Sequence, residues 1–349
     1  MRIILWLVGT LLLIGAVVFA LPHILVRSEP TPSPGATAQQ PLADDQPRPI
    51  MQAQVVLDRL GFGTGVIDGK EGQSFAAALR GFQESKGLAK SGTLDAPTRT
   101  ALAEWTNIPA TRIVTISADF AKGPFTPVIP RDPAAQAKLP MLGYRNLAEK
   151  LAERFHTDTE TLIAINAPGT KIGAGLSIRV PNIGDAAIDA AKVEDAEWRT
   201  TLATLGVGTA QPGAERVVVD KSEAVLKVFD AKDRLVAQFP ATMGSEHDPL
   251  PIGKWTIKGV SYNPPFHYNP DLFWDASSKH GKALLPPGPN GPVGVVWIDL
   301  SKPHYGIHGT PEPQSIGRAE SHGCIRLTNW DAARLAMMVK PGTPAHFVP

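Results

Sequence analysis

The sequence predicts a multidomain protein: a small three-helix bundle, then a small α+β unit, then a mostly β domain of sandwich or barrel type. Three observations predict it. The chain has 349 residues, enough for two or three domains of ordinary size. Its apolar pattern keeps a helical period through the first half and turns to a strand period from Glu215 onward. Stretches rich in Pro, Gly and Ala at 28–50 and 184–214 separate the pieces. Charges nearly balance, with Lys+Arg 34 against Asp+Glu 33, which excludes the basic footprint of a nucleic-acid binder. At 43% hydrophobic and 19% charged residues, the chain as a whole is not a disordered polymer.

Residues Ile3 to Leu21 carry no charge and follow Arg2. A run of about 20 apolar residues spans a bilayer core as a helix. It also suits a signal peptide, with small residues for cleavage at Val18-Phe19-Ala20. Residues 1–27 are therefore expected to be a signal peptide or a membrane anchor. Either reading exports the rest of the chain, to the periplasm or cell envelope. Residues 28–50 hold six prolines and no aromatic residue, the composition of a semi-stiff spacer.

The first folded unit is expected at 51–105. Val56 and Leu60 lie one helical turn apart before Gly61. Phe75, Ala78, Leu79 and Phe82 follow the i, i+3, i+4, i+7 stripe of a helix packed on one face. Asp95 is a good N-cap before Ala96-Pro97, and Leu102 and Trp105 continue that face. The second unit is expected at 139–183. Leu147, Leu151 and Phe155 mark one helix, and Thr157 to Glu160 form a capping-box pattern before a second containing Leu162, Ile163 and Ile165. Gly175 to Pro181 then reads as a strand. Residues 184–214 read as one short helix and a linker.

The third unit, 215–349, opens with short β-rich runs at 216–220, 224–229 and 234–239. In 254–260, Trp255 and Ile257 alternate with polar neighbours as a half-buried strand does. Residues 293–300 form a longer apolar strand. The segment 261–292 holds ten Pro or Gly residues, and a loop that long is commonly functional.

Candidate chemistry concentrates in 304–331. The chain's one cysteine, Cys324, follows His322 by two residues and His308 by sixteen. A thiol becomes a nucleophile near neutral pH when an imidazole takes its proton. Gly323 allows close backbone approach, which suits an oxyanion hole of main-chain N–H groups. Two other readings stand beside this one. Cys324 is a small buried hydrophobe among satisfied histidines, or His308, His322 and Cys324 ligate a metal. No second cysteine supports the metal.

Three resemblances carry the reading further. LDRLGF, GVIDGKEGQSFAAALRGFQESKGL and SGTLDAPTRTAL, in that order, resemble the peptidoglycan-binding-domain-1 family over the 51–105 unit. LAEKLAERFHTDTETLIAINAP with GLSIRVP resembles the helix-helix-strand part of the LysM family, with no opening strand evident in the sequence. Ile307-His308-Gly309-Thr310 followed by Ser321-His322-Gly323-Cys324-Ile325-Arg326-Leu327, with Asn329 and Asp331, resembles the signature of the L,D-transpeptidase (YkuD-type) catalytic domain. PIGKW at 251–255 and GPVGVVWIDL at 291–300 extend that similarity.

This last resemblance implies a β-rich acyl transferase that forms 3→3 cross-links between peptidoglycan stem peptides through a thioester on Cys324. It implies His308 as general base, the Gly309 carbonyl orienting its imidazole, and Ser321, His322, Gly323 and Arg326 shaping the pocket. Arg326 either holds a carboxylate or oxyanion, or pairs with Asp331. No metal or cofactor is implied. The expected partners are a donor tetrapeptide and an amine acceptor, glycan strands through the two N-terminal units, and the membrane through residues 3–21. Two alternatives remain at this level: an L,D-carboxypeptidase on the same scaffold, and a non-catalytic wall-binding protein.

Overall fold

The structure is a computed structural model that describes residues 46–272, 281–318, 321 and 323–349. The expected signal peptide or anchor at 1–27, most of the 28–50 linker, and His322 lie outside the described residues.

The N-terminal region is helical: α1 (Pro49–Arg59), α2 (Gln73–Ser85) and α3 (Ala96–Ala101). Pro49 opens α1, so the end of the expected linker is already helix; proline suits a first turn, where its missing N–H has no partner to lose. The predicted stripe of α2 is its core face, with Phe75, Ala78, Leu79 and Phe82 all buried. Asp95 caps α3 as expected, its Oδ1 accepting from the Thr98 N–H at 3.0 Å.

The middle of the chain folds as β1 (Thr111–Thr115), two short helices α4 (Ala118–Ala121) and α5 (Pro133–Gln136), then α6 (Leu147–Arg154), α7 (Thr159–Ala164) and β2 (Ser177–Pro181). β1 pairs antiparallel with β2 in full register, Thr111 with Pro181 through Thr115 with Ser177. A strand not expected from the sequence therefore precedes α6, set apart from it by residues 116–146. The cap of α7 is Asp158, whose Oδ1 accepts from Thr161 N–H at 2.7 Å. Thr157, expected in that role, instead donates its hydroxyl to the Ile67 carbonyl at 2.7 Å and ties the middle to the N-terminal helices. Leu162 of α7 is buried, while Ile163 beside it is exposed.

The short helix expected within 184–214 is α8 (Ala196–Leu205). Trp198, Leu202 and Leu205 are fully buried in the main core, so this helix is a wall of the C-terminal domain. Three large apolar residues on one face hold the helix against that core.

The C-terminal domain is mostly β, with β3 (Arg216–Asp220), β4 (Val225–Phe229), β5 (Leu235–Pro240), β6 (Thr242–Met243), β7 (Gly253–Tyr262), β8 (Phe266–Tyr268), β9 (Ala283–Leu285), β10 (Val296–Leu300), β11 (Gly306–His308) and β12 (Ile325–Arg326). Helix α9 (Asn329–Met338) and β13 (Pro344–Val348) complete it. One sheet runs β5-β4-β3-β13-β7-β10-β11-β12-β6. Only Ala241 separates β5 from β6 in the chain, yet they stand at opposite ends of the strand order. The sheet therefore curls back on itself and is barrel-like. Helix α9 packs on β10 and β11, with Trp330, Ala333 and Leu335 in the core. Within the expected 261–292 loop, β8 and β9 form a small antiparallel pair.

The units share their cores. Met51 and Val55 of α1 pack with Leu151, Phe155 and Ile178 of the middle region. Leu57 of α1 and Phe62 pack with Phe82 and with Leu235 of β5. The outer edge of β5 is itself paired: Gln238 N–H donates to the Gly61 carbonyl at 3.0 Å, and Gly63 N–H to the Gln238 carbonyl at 2.7 Å.

Candidate active site

The site is built on two neighbouring parallel strands, β11 and β12, with Ile307 opposite Ile325 and His308 opposite Arg326. Side chains alternate along a strand. Ile307 and Ile325 are fully buried in the core. His308, Arg326 and Cys324, the residue before β12, therefore share the opposite face, with Cys324 at the level of Gly306.

His308 is held on three sides. Its Nδ1–H donates to the Gly309 carbonyl at 2.7 Å, which fixes the tautomer and leaves Nε2 as the basic nitrogen. Its ring stacks on Trp297 of β10, the directly paired residue, with centroids 5.6 Å apart and planes at 18°. Its backbone carbonyl accepts from Leu327 N–H at 2.8 Å. Burial pushes its pKa down to about 4; the Gly309 contact opposes this and the nearby Arg326 charge adds to it.

Cys324 is partly exposed. Burial of its sulfur pushes the thiol pKa up, against a backbone hydrogen bond from Gly306 and the Arg326 charge. Its Sγ lies 3.8 Å from the His304 carbonyl. Both shifts favour the uncharged forms of the thiol and the imidazole. The thiolate–imidazolium pair expected from sequence would place two charges in a site that burial has made hostile to both.

The loop carrying Cys324 is clamped. Gly323 has φ +89°, and a Cβ there would lie 2.6 Å from Tyr305 Cε1, so only glycine fits. Ser321 is buried; its Oγ accepts from Gly244 N–H at 2.6 Å and donates to the Cys324 carbonyl at 2.7 Å. Ser321 N–H in turn donates to the Gly244 carbonyl at 3.0 Å.

Asn329, the first residue of α9, fills the space behind His308. Its Oδ1 stands where a Cβ on Gly309 or Gly294 would have to go, 2.2 Å and 1.9 Å away. Asp331 does not pair with Arg326: its nearest cation is Arg334, at 3.5 Å on the same helix. An i, i+3 neighbour on a buried helix outcompetes a residue on the opposite side of the core.

The structure thus brings Cys324, His308, Gly309, Ser321, Gly323 and Arg326 to one region. Trp297, Tyr305 and Gly306 belong to it too, and sequence reasoning did not single them out. Gly306 lets Trp297 lie flat beside His308, since a Cβ there would meet the indole at 2.4 Å. The tryptophan in the strand just before the histidine strand was the available signal.

Two stretches of the chain match known protein families. Residues 214–346 match the profile described as "L,D-transpeptidase catalytic domain". Residues 47–102 match the one described as "Putative peptidoglycan binding domain". The chain is 29% identical over 203 residues to the "Putative L,D-transpeptidase YkuD" of Bacillus licheniformis, covering 58% of this chain and 93% of that protein. It is 58% identical over 55 residues to the protein of the same name in Bacillus subtilis, covering 16% of this chain and 34% of the relative. The solved structure of an L,D-transpeptidase from Mycobacterium smegmatis is similar at 23% identity and a TM-score of 0.32, covering 38% of this chain and 58% of that one. The match thus spans about a third of the Bacillus subtilis relative and under two thirds of the mycobacterial structure.

Proposed function

We propose that this protein is an exported L,D-transpeptidase that cross-links peptidoglycan stem peptides through a thioester on Cys324. The observation that carries the reading is the β11–β12 ladder: it sets the lone thiol on the same face as an imidazole whose Nδ1 is already committed to Gly309. That arrangement leaves Nε2 to move protons between sulfur and substrate.

In this mechanism Cys324 sulfur attacks the carbonyl of the third residue of a donor tetrapeptide while His308 Nε2 takes the thiol proton. Proton transfer accompanies attack, because both groups favour their uncharged forms. The oxyanion meets main-chain N–H groups around Gly323 and Cys324, and Arg326 adds positive charge. The intermediate collapses, the imidazolium protonates the departing amine of the terminal residue, and a thioester remains. The side-chain amine of a second stem peptide then attacks the thioester carbonyl. It gives up a proton to His308, which returns it to the Cys324 sulfur as the 3→3 link forms.

Residues 1–27 would deliver the chain to the envelope as a signal peptide or anchor, and 28–50 would space it from the membrane. The helices at 51–105 would grip peptidoglycan. The antiparallel β1–β2 pair flanking α6 and α7 supports reading the middle region as LysM-like, with an insertion after its first strand. Intact-protein mass spectrometry after exposure to a carbapenem tests the reading. One added acyl group that disappears in Cys324→Ala is expected; no mass gain on the native protein overturns it. Product analysis with a purified tetrapeptide then separates transfer from hydrolysis, since trimmed tripeptide alone would mean water is the acceptor.

A further inference from the structure

We propose that Glu153, carried on α6 in the middle region, is a positioning residue for His308. The proposal rests on the catalytic reading of His308 given above. Glu153 lies far from the catalytic strands in sequence but is buried at their back. Its Oε1 accepts from Asn329 Nδ2 at 2.9 Å. Its Oε2 meets the Tyr144 hydroxyl at 3.0 Å. Both carboxyl oxygens are therefore used, one on the domain that would perform the chemistry and one on the region before it.

Asn329 is the link. Its Oδ1 accepts from Val295 N–H at 3.3 Å and presses against the Cα positions of Gly294 and Gly309. Its Nδ2 has Glu153 Oε1 and the Pro289 carbonyl, at 3.1 Å, as acceptors. Gly309 supplies the carbonyl that holds His308 Nδ1. Glycine at 309 has no side chain to hold its peptide plane, so the packed amide of Asn329 does so instead. Removing Glu153 leaves that amide one weaker anchor and room to swing. The Gly309 peptide can then turn, and the imidazole loses the contact that fixes which nitrogen is basic.

The carboxyl suits a neutral role. Burial pushes its pKa up to about 8, against the Asn329 and Tyr144 contacts, and the neighbouring Glu149 adds to the rise. A protonated Glu153 presents one acceptor and one donor, the pattern a glutamine reproduces. Glu149 is the charged neighbour acting on Glu153, and Arg326 the one acting on His308.

The test uses the full chain with Glu153→Gln, Glu153→Ala and Tyr144→Phe, two readouts and a thermal melt. The first readout is the rate of Cys324 acylation against pH. The second is the titration of His308 by NMR with labelled imidazole, which needs no activity. Glu153→Ala should slow acylation about tenfold at saturating acylating agent, with the half-saturation concentration unchanged. It should also move the His308 titration further down, because the Gly309 contact that opposes the depression is lost. Glu153→Gln should match the native protein in both. Tyr144→Phe, which loosens Glu153 without emptying its site, should move both readouts the same way by less, and it serves if the alanine variant does not fold. A lower melting point with the His308 titration unmoved would overturn the proposal, leaving Glu153 a brace between regions. So would equal losses in the Gln and Ala variants. Absence of acylation in the native protein counts against the enzyme reading instead, and the NMR titration still decides the role of Glu153.

Discussion

Arg334 of the last helix grips Asp58 of the first with both guanidinium nitrogens, at 3.0 and 2.8 Å, in a fully buried contact. His156 of the middle region lies 3.1 Å from both Asp58 oxygens and stacks on Trp330, 5.1 Å between centroids. All three regions of the described chain meet at this one carboxylate. Removing one partner of a buried pair strands the other charge and costs roughly 3–5 kcal/mol. Asp58→Ala should therefore destabilise the whole protein in one cooperative denaturant transition. Two separate transitions, with the C-terminal domain melting as it does in the native protein, would contradict the shared junction.

Asp331 predicts an unusual pH slope. Burial raises its carboxyl from 3.8 to about 7, helped by the Asp58 charge and only partly offset by Arg334 and a contact from Thr328. A folded pKa above the unfolded one means the native state binds the extra proton. This contribution is full below the unfolded value and declines as pH rises toward about 7. Asp58, held well below the usual carboxylate range by Arg334 and His156 despite its burial, acts oppositely and at lower pH. Asp331→Asn should flatten the fall in melting temperature between mildly acid and neutral pH; an unchanged slope would reject the assignment.

The pH dependence of acylation follows from His308. The imidazole stays neutral down to about pH 4 because it is buried. Acylation of Cys324 should hold its plateau through pH 6.5, the ordinary midpoint for histidine, and fall only as the imidazole gains a proton near 4. A midpoint at the ordinary imidazole value, measured by stopped-flow acylation, would show that the site hydrates in solution.

Ser321→Ala should be costlier than a serine usually is. The hydroxyl joins Gly244 N–H to the Cys324 carbonyl, so its loss leaves two buried backbone groups short of a partner. About 1–3 kcal/mol of stability is at stake. We expect acylation to slow about tenfold as the Cys324 loop loses its clamp, about 1.4 kcal/mol in the barrier. Native acylation kinetics would show the loop to be held by Gly323 and Tyr305 alone.

Much of this was legible in the sequence, for physical reasons. The stripe of α2 and the strands β3 to β5 stand close to where periodicity put them, because each buries one face. The Cys324–His308 region was legible because its glycines and histidines crowd into a short segment. The illegible parts depend on partners distant in sequence. β1 finds its strand partner only across a long insertion. The short helix at 184–214 was expected, but the burial of Trp198, Leu202 and Leu205 depends on the C-terminal core that receives them. Glu153 reads as an ordinary helix-surface acid, and only its contact with Asn329 reveals otherwise.

The paired outer edge of β5 bears on how such a protein can be taken apart. An uncovered strand edge is a template on which other chains polymerise. Here residues 61–63, from the helical region at the front, occupy that edge. A fragment trimmed to the C-terminal domain would lose this cover along with Leu57 and Phe62 against Leu235. The helical region thus covers an edge on which copies could otherwise associate, and exchanging it for another unit would have to supply a replacement strand edge.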